Sequence, residues 1–263
     1  MIPKKIHYCW FGGKPLDDLA LKCIRSWEKY FPGYEIIQWN ETNFDISQMK
    51  LIQKAYEDKK WAFVSDVARL IVVYQYGGLY FDTDVEVICD YKDILTENIE
   101  GFMGIEGLGT VATGLGFCAM PKHPFIAELI KIYENIDYLQ YKDCLEKIAC
   151  PILTTEIMNK KGFYITDGIQ EYCGLKIYPP EYFSPFDYMT GNLKITTRTH
   201  SIHWYNASWN QKETKKELDI ARKYRNIFGT KTGEMIYGVV TCIKREGCVK
   251  YLIARLRRIM SRK

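Results

Sequence analysis

Apolar residues recur at helical spacing most clearly in Trp61–Tyr76, where Phe63, Val67, Leu70, Ile71 and Tyr74 share one stripe and Gly77 closes the run. The period then changes. Tyr80, Asp82, Asp84 and Glu86 alternate with Phe81, Val85 and Val87, with Leu79 ahead of them and small Thr83 among them. This alternation predicts one strand over residues 80–87, with a core face and a charged face. Upstream, residues 4–11 predict a first strand that ends in Gly12-Gly13. Asp17 is placed to cap a helix over 18–30, with Leu19, Cys23, Ile24 and Trp27 on one side, and Pro32-Gly33 stops it. A second strand follows at 34–39, and Ser47 is placed to cap a helix running to about residue 59. A β-α-β opening of this kind favours parallel neighbours joined by a crossover helix.

Downstream the elements shorten. Strands are predicted at 102–106, 117–120 and 174–178, and helices at 125–135, 141–149, 153–160 and 212–228. The glycine-rich stretch 107–116 and the aromatic stretch 182–187 read as loops, the first over a site, and both are candidates for acceptor and sugar selection. The pattern is α/β, with a single central, mostly parallel sheet flanked by helices.

A length of 263 residues suits one such domain with a small appendage. The nine cysteines include no Cys-x-x-Cys pair, which reads as reduced thiols and a cytoplasmic protein. The N-terminal residues lack the apolar region of a signal peptide, and no apolar run reaches transmembrane length. The net charge of +4 is unevenly placed: residues 241–263 carry eight bases against Glu246, and the rest is slightly acidic. Nucleic-acid binding by the whole chain is a poor fit to that distribution. The expected division is a domain over 1–240 and a basic amphipathic helix over 241–263. In the latter, Val249, Leu252, Ile253 and Leu256 recur at helical spacing among Lys250, Arg255, Arg257 and Arg258. Such a helix either lies on an anionic membrane surface or packs on the body.

The chemistry begins at Asp82-Thr83-Asp84. Two carboxylates on one strand face repel each other unless a cation sits between them. A divalent ion there could also meet the oxygens of a diphosphate and offset charge on a leaving group. Alone the pair is a weak signal, since a solvated strand edge gives the same spacing. A second dense cluster of functional side chains lies at 199–209, with His200, His203, Trp204, Asn206, Ser208 and Trp209.

Together these segments resemble the DXD-containing glycosyltransferases of family 32. The resemblance rests on Ser65-Asp66-x-x-Arg69, the run from Tyr76 and Gly77-Gly78 through Tyr80 to Asp82-Thr83-Asp84, the opening Ile-Pro-Lys-Lys-Ile-His-Tyr-Cys-Trp-Phe-Gly-Gly at 2–13, and His203 with Ser208-Trp209. That family includes capsular-polysaccharide transferases and yeast mannosyltransferases, and its donor region is similar to that of the clostridial glucosylating toxins. The resemblance implies a GT-A type nucleotide-diphospho-sugar transferase fold and a retaining transfer from a nucleotide-diphosphate sugar, most simply a uridine one, to a saccharide acceptor. It implies Trp10 stacked on the base, Asp66 and Arg69 gripping ribose and sugar hydroxyls, and Tyr80 facing the donor. It implies Asp82, Asp84 and His203 around manganese, with magnesium as the alternative ion. Ser208 and Trp209 would donate to the β-phosphate; the spacing leaves Asn206 open, and the division of labour between Asp82 and Asp84 is not readable. A capsule-type acceptor would be lipid-linked, at the cytoplasmic face of the membrane. Two rival readings remain: a sugar-nucleotide nucleotidyltransferase, which would want more than the faint phosphate-loop echo of Gly12-Gly13-Lys14, and a non-catalytic sugar-binding domain.

Overall fold

The computed structural model describes residues 1–206 and 215–246. In chain order the elements are β1 (Lys5–Cys9), α1 (Asp18–Tyr30), β2 (Glu35–Trp39), α2 (Lys50–Glu57), α3 (Trp61–Tyr76), β3 (Gly78–Tyr80), β4 (Val85–Val87), β5 (Gly101–Ile105), β6 (Val111–Ala112) and β7 (Phe117–Ala119). They continue with α4 (Pro124–Glu134), α5 (Tyr138–Tyr141), α6 (Cys150–Lys160), β8 (Gln170–Tyr172), β9 (Leu175–Tyr178), α7 (Pro180–Phe183), β10 (Ser201–His203), α8 (Lys215–Phe228) and α9 (Thr230–Glu246).

The main sheet has the order β2-β1-β3-β7-β5-β9-β8, with β6 added to β5. Strands β2, β1, β3, β5 and β9 run one way, while β7, β8 and β6 oppose them. Alternation along the strands splits the core in two. Ile6, Tyr8, Leu79, Phe81, Phe102 and Cys118 pack with Trp27 of α1 on one side. Cys9, Tyr80, Met103, Phe117 and Ile177 pack with Val67, Leu70 and Ile71 of α3 on the other.

Two elements follow directly from local chemistry. Asp17 caps α1 by accepting the Ala20 N–H at 2.8 Å. Helix α3 has no side-chain cap and is rich in β-branched residues, yet nine of its residues are buried, so tertiary packing outweighs propensity. It ends at Gly77, whose φ of 62° favours glycine and whose N–H returns to the Val73 carbonyl.

Several expectations are corrected. The single strand expected over residues 80–87 is two: β3 stops at Tyr80, Asp82 accepts the Val85 N–H at 3.0 Å in a turn, and β4 leaves the main sheet. Asp-Thr-Asp favours such a turn over a continued ladder. Strand β4 pairs antiparallel with β10 as a separate two-stranded sheet, matching Val85 with His203 and Val87 with Ser201. Ser47 caps no long helix. Its N–H and hydroxyl both donate to Asp45, which caps a short 3-10 turn at Ile46–Gln48, and α2 starts after Met49. The glycine-rich stretch contains β6, which folds back on β5 through a turn closed by the Glu106 N–H on Thr110 O, 2.9 Å. In place of a helix over 141–149 there are α5 and a 3-10 turn at Leu145–Ile148. The short strands β8 and β10 were not expected.

The chain forms two compact units, residues 1–186 with 193–209, and residues 187–192 with 210–263. Within the second, α8 and α9 approach closely at Gly233, and the buried Arg225 reaches Glu234 at 2.6 Å and the Met189 carbonyl at 3.0 Å. Helix α9 runs without interruption through residue 240 to Glu246. Most of the expected basic helix, residues 247–263, lies outside the described residues. Among the described residues no helix is long and apolar enough to cross a membrane.

Candidate functional site

Strands β1 and β3 are parallel, with Ile6 beside Leu79 and His7 beside Tyr80. Trp10 and Asp82 therefore leave the sheet at the same edge, beyond the carboxyl ends of these strands, where ligands of open α/β sheets bind. Trp10 is half-buried, and its indole N–H donates to the Lys14 carbonyl at 2.6 Å.

Arg69 organises the inner part of this edge. It is 5% exposed, and each part of its guanidinium is engaged. Nε donates to the Ser65 carbonyl at 3.2 Å and Nη1 to Thr113 Oγ1 at 3.4 Å. Nη2 pairs with Asp66 Oδ1 at 2.8 Å and with Asp82 Oδ1 at 3.0 Å. Burial disfavours the charge on Arg69, but Asp82 and Asp66 outweigh it and hold the guanidinium firmly protonated. Asp66 also accepts the Cys150 N–H at 3.3 Å, so it serves the first turn of α6, which has no side-chain cap of its own. Tyr80 is buried, with its ring under Arg69 at 5.1 Å and its hydroxyl donating to Asp82 Oδ1 at 3.1 Å.

The outer part is built by the return of the chain. His203 Nε2 lies 3.0 Å from Asp84 Oδ1, and the Asn206 N–H donates to Asp84 Oδ2 at 2.8 Å. Trp204 N–H donates to the Asp84 carbonyl at 3.0 Å. Burial pushes Asp84 up, but His203 and the Asn206 amide more than offset it and hold the carboxyl below its usual range. Burial raises Asp82, Arg69 opposes this, and the like charge of Asp84 adds to the rise, so Asp82 ends above its usual range. For His203, burial lowers the proton affinity, while Asp84, then Asp82 and Glu106, raise it to a net increase. The three residues offer one ligand atom each within 4.8 Å of one another. His203 Nδ1 is buried with no hydrogen-bond partner among the described residues. A nitrogen and two carboxylate oxygens so gathered fit a divalent ion.

The structure thus brings together Asp66, Arg69, Tyr80, Asp82, Asp84 and His203, and sets Trp10 at the same sheet edge. Ser208 and Trp209 lie outside the described residues. His200 is structural, with Nδ1 on the Arg198 carbonyl and Nε2 on Asp93, both at 2.8 Å. The aromatic stretch sends Phe183 into the core and stacks Tyr182 on His200 at 5.8 Å. Sequence reasoning read 107–116 as a loop over a site but singled out neither Thr113 nor Gly114. Gly114 accepts the Asp82 N–H at 3.3 Å, and a Cβ there would collide with the Asp82 carboxylate and crowd Arg69. It also gave no role to Glu106, the last residue of a predicted strand, or to Tyr205, inside the cluster at 199–209. The Tyr205 ring lies 4.1 Å from that of His203, and its hydroxyl is 2.8 Å from Ser184 Oγ and 3.5 Å from Glu106 Oε2. For Glu106 the signal in the sequence was an acid at a strand end before Gly-Leu-Gly.

Residues 17–99, which include α3 and Asp82-Thr83-Asp84, match the family described as the glycosyltransferase sugar-binding region containing a DXD motif. The chain is 25% identical over 138 residues to inositol phosphoceramide mannosyltransferase 1 of Schizosaccharomyces pombe, which covers 49% of this chain and 42% of that protein. The chain thus spans under half the length of that relative. Among solved structures, it is similar to the PaToxG glycosyltransferase, with a TM-score of 0.51 and 17% identity over 61% of this chain and 70% of the other. It also overlaps a glycosyltransferase involved in glycosylation of the major capsid of PBCV-1, with a TM-score of 0.39 and 13% identity over 83% of this chain and 98% of the other. Residues 17–99 thus carry the likeness to a DXD-containing sugar-binding region, and the chain as a whole has a GT-A type α/β fold.

Proposed function

We propose that the chain is a metal-dependent, retaining glycosyltransferase that moves a sugar from a nucleotide-diphosphate sugar, uridine-based, to a saccharide acceptor in cell-surface or capsular polysaccharide synthesis. The observation that carries this reading is the convergence of Asp82, Asp84 and His203 within 4.8 Å at the edge of a segment matched to DXD sugar-binding regions. Those three residues would hold the ion, and the mixed nitrogen and oxygen set favours manganese, with magnesium as the alternative. Bound there, the ion would supply positive charge against the leaving diphosphate.

The chain's own residues do the rest. Trp10 offers a flat apolar face to the base. Arg69 fixes Asp82 and, with Asp66, faces the hydroxyl-rich part of the donor. Ser208 and Trp209 are assigned as donors to the β-phosphate as charge builds on it. The acceptor oxygen bonds to the anomeric carbon as the bond from that carbon to the phosphate oxygen breaks. The diphosphate leaves with the electron pair, and a donor phosphate oxygen takes the acceptor proton. A lipid-linked acceptor at the cytoplasmic membrane face, approached through the basic residues of 241–263, completes the reading.

The test is incubation of the full chain with radiolabelled nucleotide sugars and manganese. Release of nucleoside diphosphate is expected, and Asp84→Ala is expected to abolish it, because the leaving diphosphate loses its counter-charge. Pyrophosphate as the product would indicate nucleotidyl transfer instead. Binding without turnover would indicate a sugar-binding domain, and unchanged turnover in Asp84→Ala would remove the metal assignment.

A further inference from the structure

Glu106 lies where β5 ends and the chain turns back into β6. Its side chain is held from two directions. The Thr110 hydroxyl donates to Oε1, and the Tyr205 hydroxyl stands 3.5 Å from Oε2. Tyr205 is itself placed at a cost, because its φ of 47° is in the left-handed region that residues with a Cβ rarely adopt. That unfavourable backbone sets the ring 4.1 Å from His203 and the hydroxyl between Ser184 and Glu106. Glu106 is thus a half-buried, oriented carboxylate that Tyr205 connects to His203 of the Asp82–Asp84–His203 group, and neither the metal reading nor the leaving group uses it.

An ionised carboxylate has about four acceptor sites. The two hydroxyls fill at most two, so Glu106 keeps capacity for further O–H donors. Beside a diphosphate-binding group, the chemical class rich in O–H donors is the sugar itself. Hydrogen bonds to a carboxylate are about twice as strong as neutral ones, and a missing partner leaves the acceptor unsatisfied, which is what gives selectivity between sugars. The hairpin that carries Glu106 also shows Leu108 at its tip, 73% exposed, so the same turn presents an apolar surface beside the polar one.

We propose that Glu106 is a specificity-determining residue that accepts a hydrogen bond from a hydroxyl of the donor sugar, with Thr110 and Tyr205 as its positioning residues. This inference rests on the glycosyl-transfer reading above. It is tested by calorimetric titration of the full chain, in manganese, with nucleoside diphosphates and with the matching gluco-, galacto- and manno-configured nucleotide sugars. Glu106→Gln is expected to leave nucleoside diphosphate affinity within about twofold of the parent, since that ligand has no transferable sugar. The same variant is expected to lose about 10–100-fold in affinity for the preferred nucleotide sugar and to flatten the ranking among the three. Tyr205→Phe is expected to show the same pattern at smaller size. A Glu106→Gln protein that keeps both the affinity and the ranking overturns the inference, and so does one that loses the nucleoside diphosphate equally. A parent protein that binds neither ligand class overturns the glycosyl-transfer reading itself and takes this inference with it.

Discussion

The two halves of the candidate site are made by different means. The half around Arg69 is built into the core: α3 is mostly buried, Arg69 joins Asp66 to Asp82, and Tyr80 and Thr113 close around it. The half around Asp84 is built on the two-stranded β4–β10 ladder, whose strand pairing is separate from that of the main sheet. It is tied to α1 by Lys22, which reaches Glu86 Oε2 at 2.6 Å, and by the Trp27 indole N–H, which donates to the Val85 carbonyl at 2.8 Å, while Trp204 donates to the same Glu86 oxygen at 2.9 Å. The contrast teaches that one carboxylate of the pair is positioned by buried charge and the other by a returning segment of chain. They sit two residues apart but answer to different forces.

The largest effect should come from breaking the buried half. Arg69→Met leaves Asp66 and Asp82 without their cation, and unfolding in urea should show a loss of about 3–5 kcal/mol. A loss under ~1 kcal/mol would mean that the network is no more valuable than a surface pair.

The next concerns acid. His7, in β1, is buried with Nε2 on the Gly77 carbonyl at 2.8 Å and Nδ1 facing the Trp39 indole N–H at 3.1 Å. Burial pushes its pKa down to about 4 from 6.5, despite the bond to Gly77. Between those values the unfolded chain takes up the proton and the folded chain does not, so stability falls as pH falls through that window. The drop should be on the order of 3 kcal/mol, read from unfolding curves at each pH and missing from a His7→Asn variant. A wild-type decline no steeper than the variant's would refute it.

The smallest effect should come from the half around Asp84. Trp204→Phe removes one hydrogen bond to Glu86, and thermal unfolding should report about 1 kcal/mol. A change as large as that of Arg69→Met would erase the distinction between the two halves.

What was legible in the sequence follows the same division. Helices α1 and α3 were readable because their signals are local: Asp17 at one end, Gly77 at the other, and apolar residues at fixed spacing between. Asp82, Asp84 and His203 were readable as donor types, and the resemblance joined segments that no local rule connects. The break after Tyr80 was not readable, because Leu79, Phe81, Val85 and Val87 all enter the same core whether or not the strand is continuous. Strands β8 and β10 have three residues each, too few for a period to register. Ser47 shows a local rule overridden by a neighbour, since Asp45 took the capping role. Residues 107–116 were readable as a loop over a site, but the contacts of Thr113 and Gly114 with Arg69 and Asp82 were not, because glycine-rich sequence signals freedom rather than enclosure.

The β4–β10 ladder has one more consequence. Asp84 and Asn206 meet although they are 122 positions apart in the chain. In polymer terms the ladder is a clasp on a very long loop, and closing such a loop carries an entropic cost that grows only slowly with its length. Anything seated across Asp82, Asp84 and His203 grips both ends of that loop at once. It acts as a reversible cross-link, so occupancy of the site and closure of the chain become a single equilibrium.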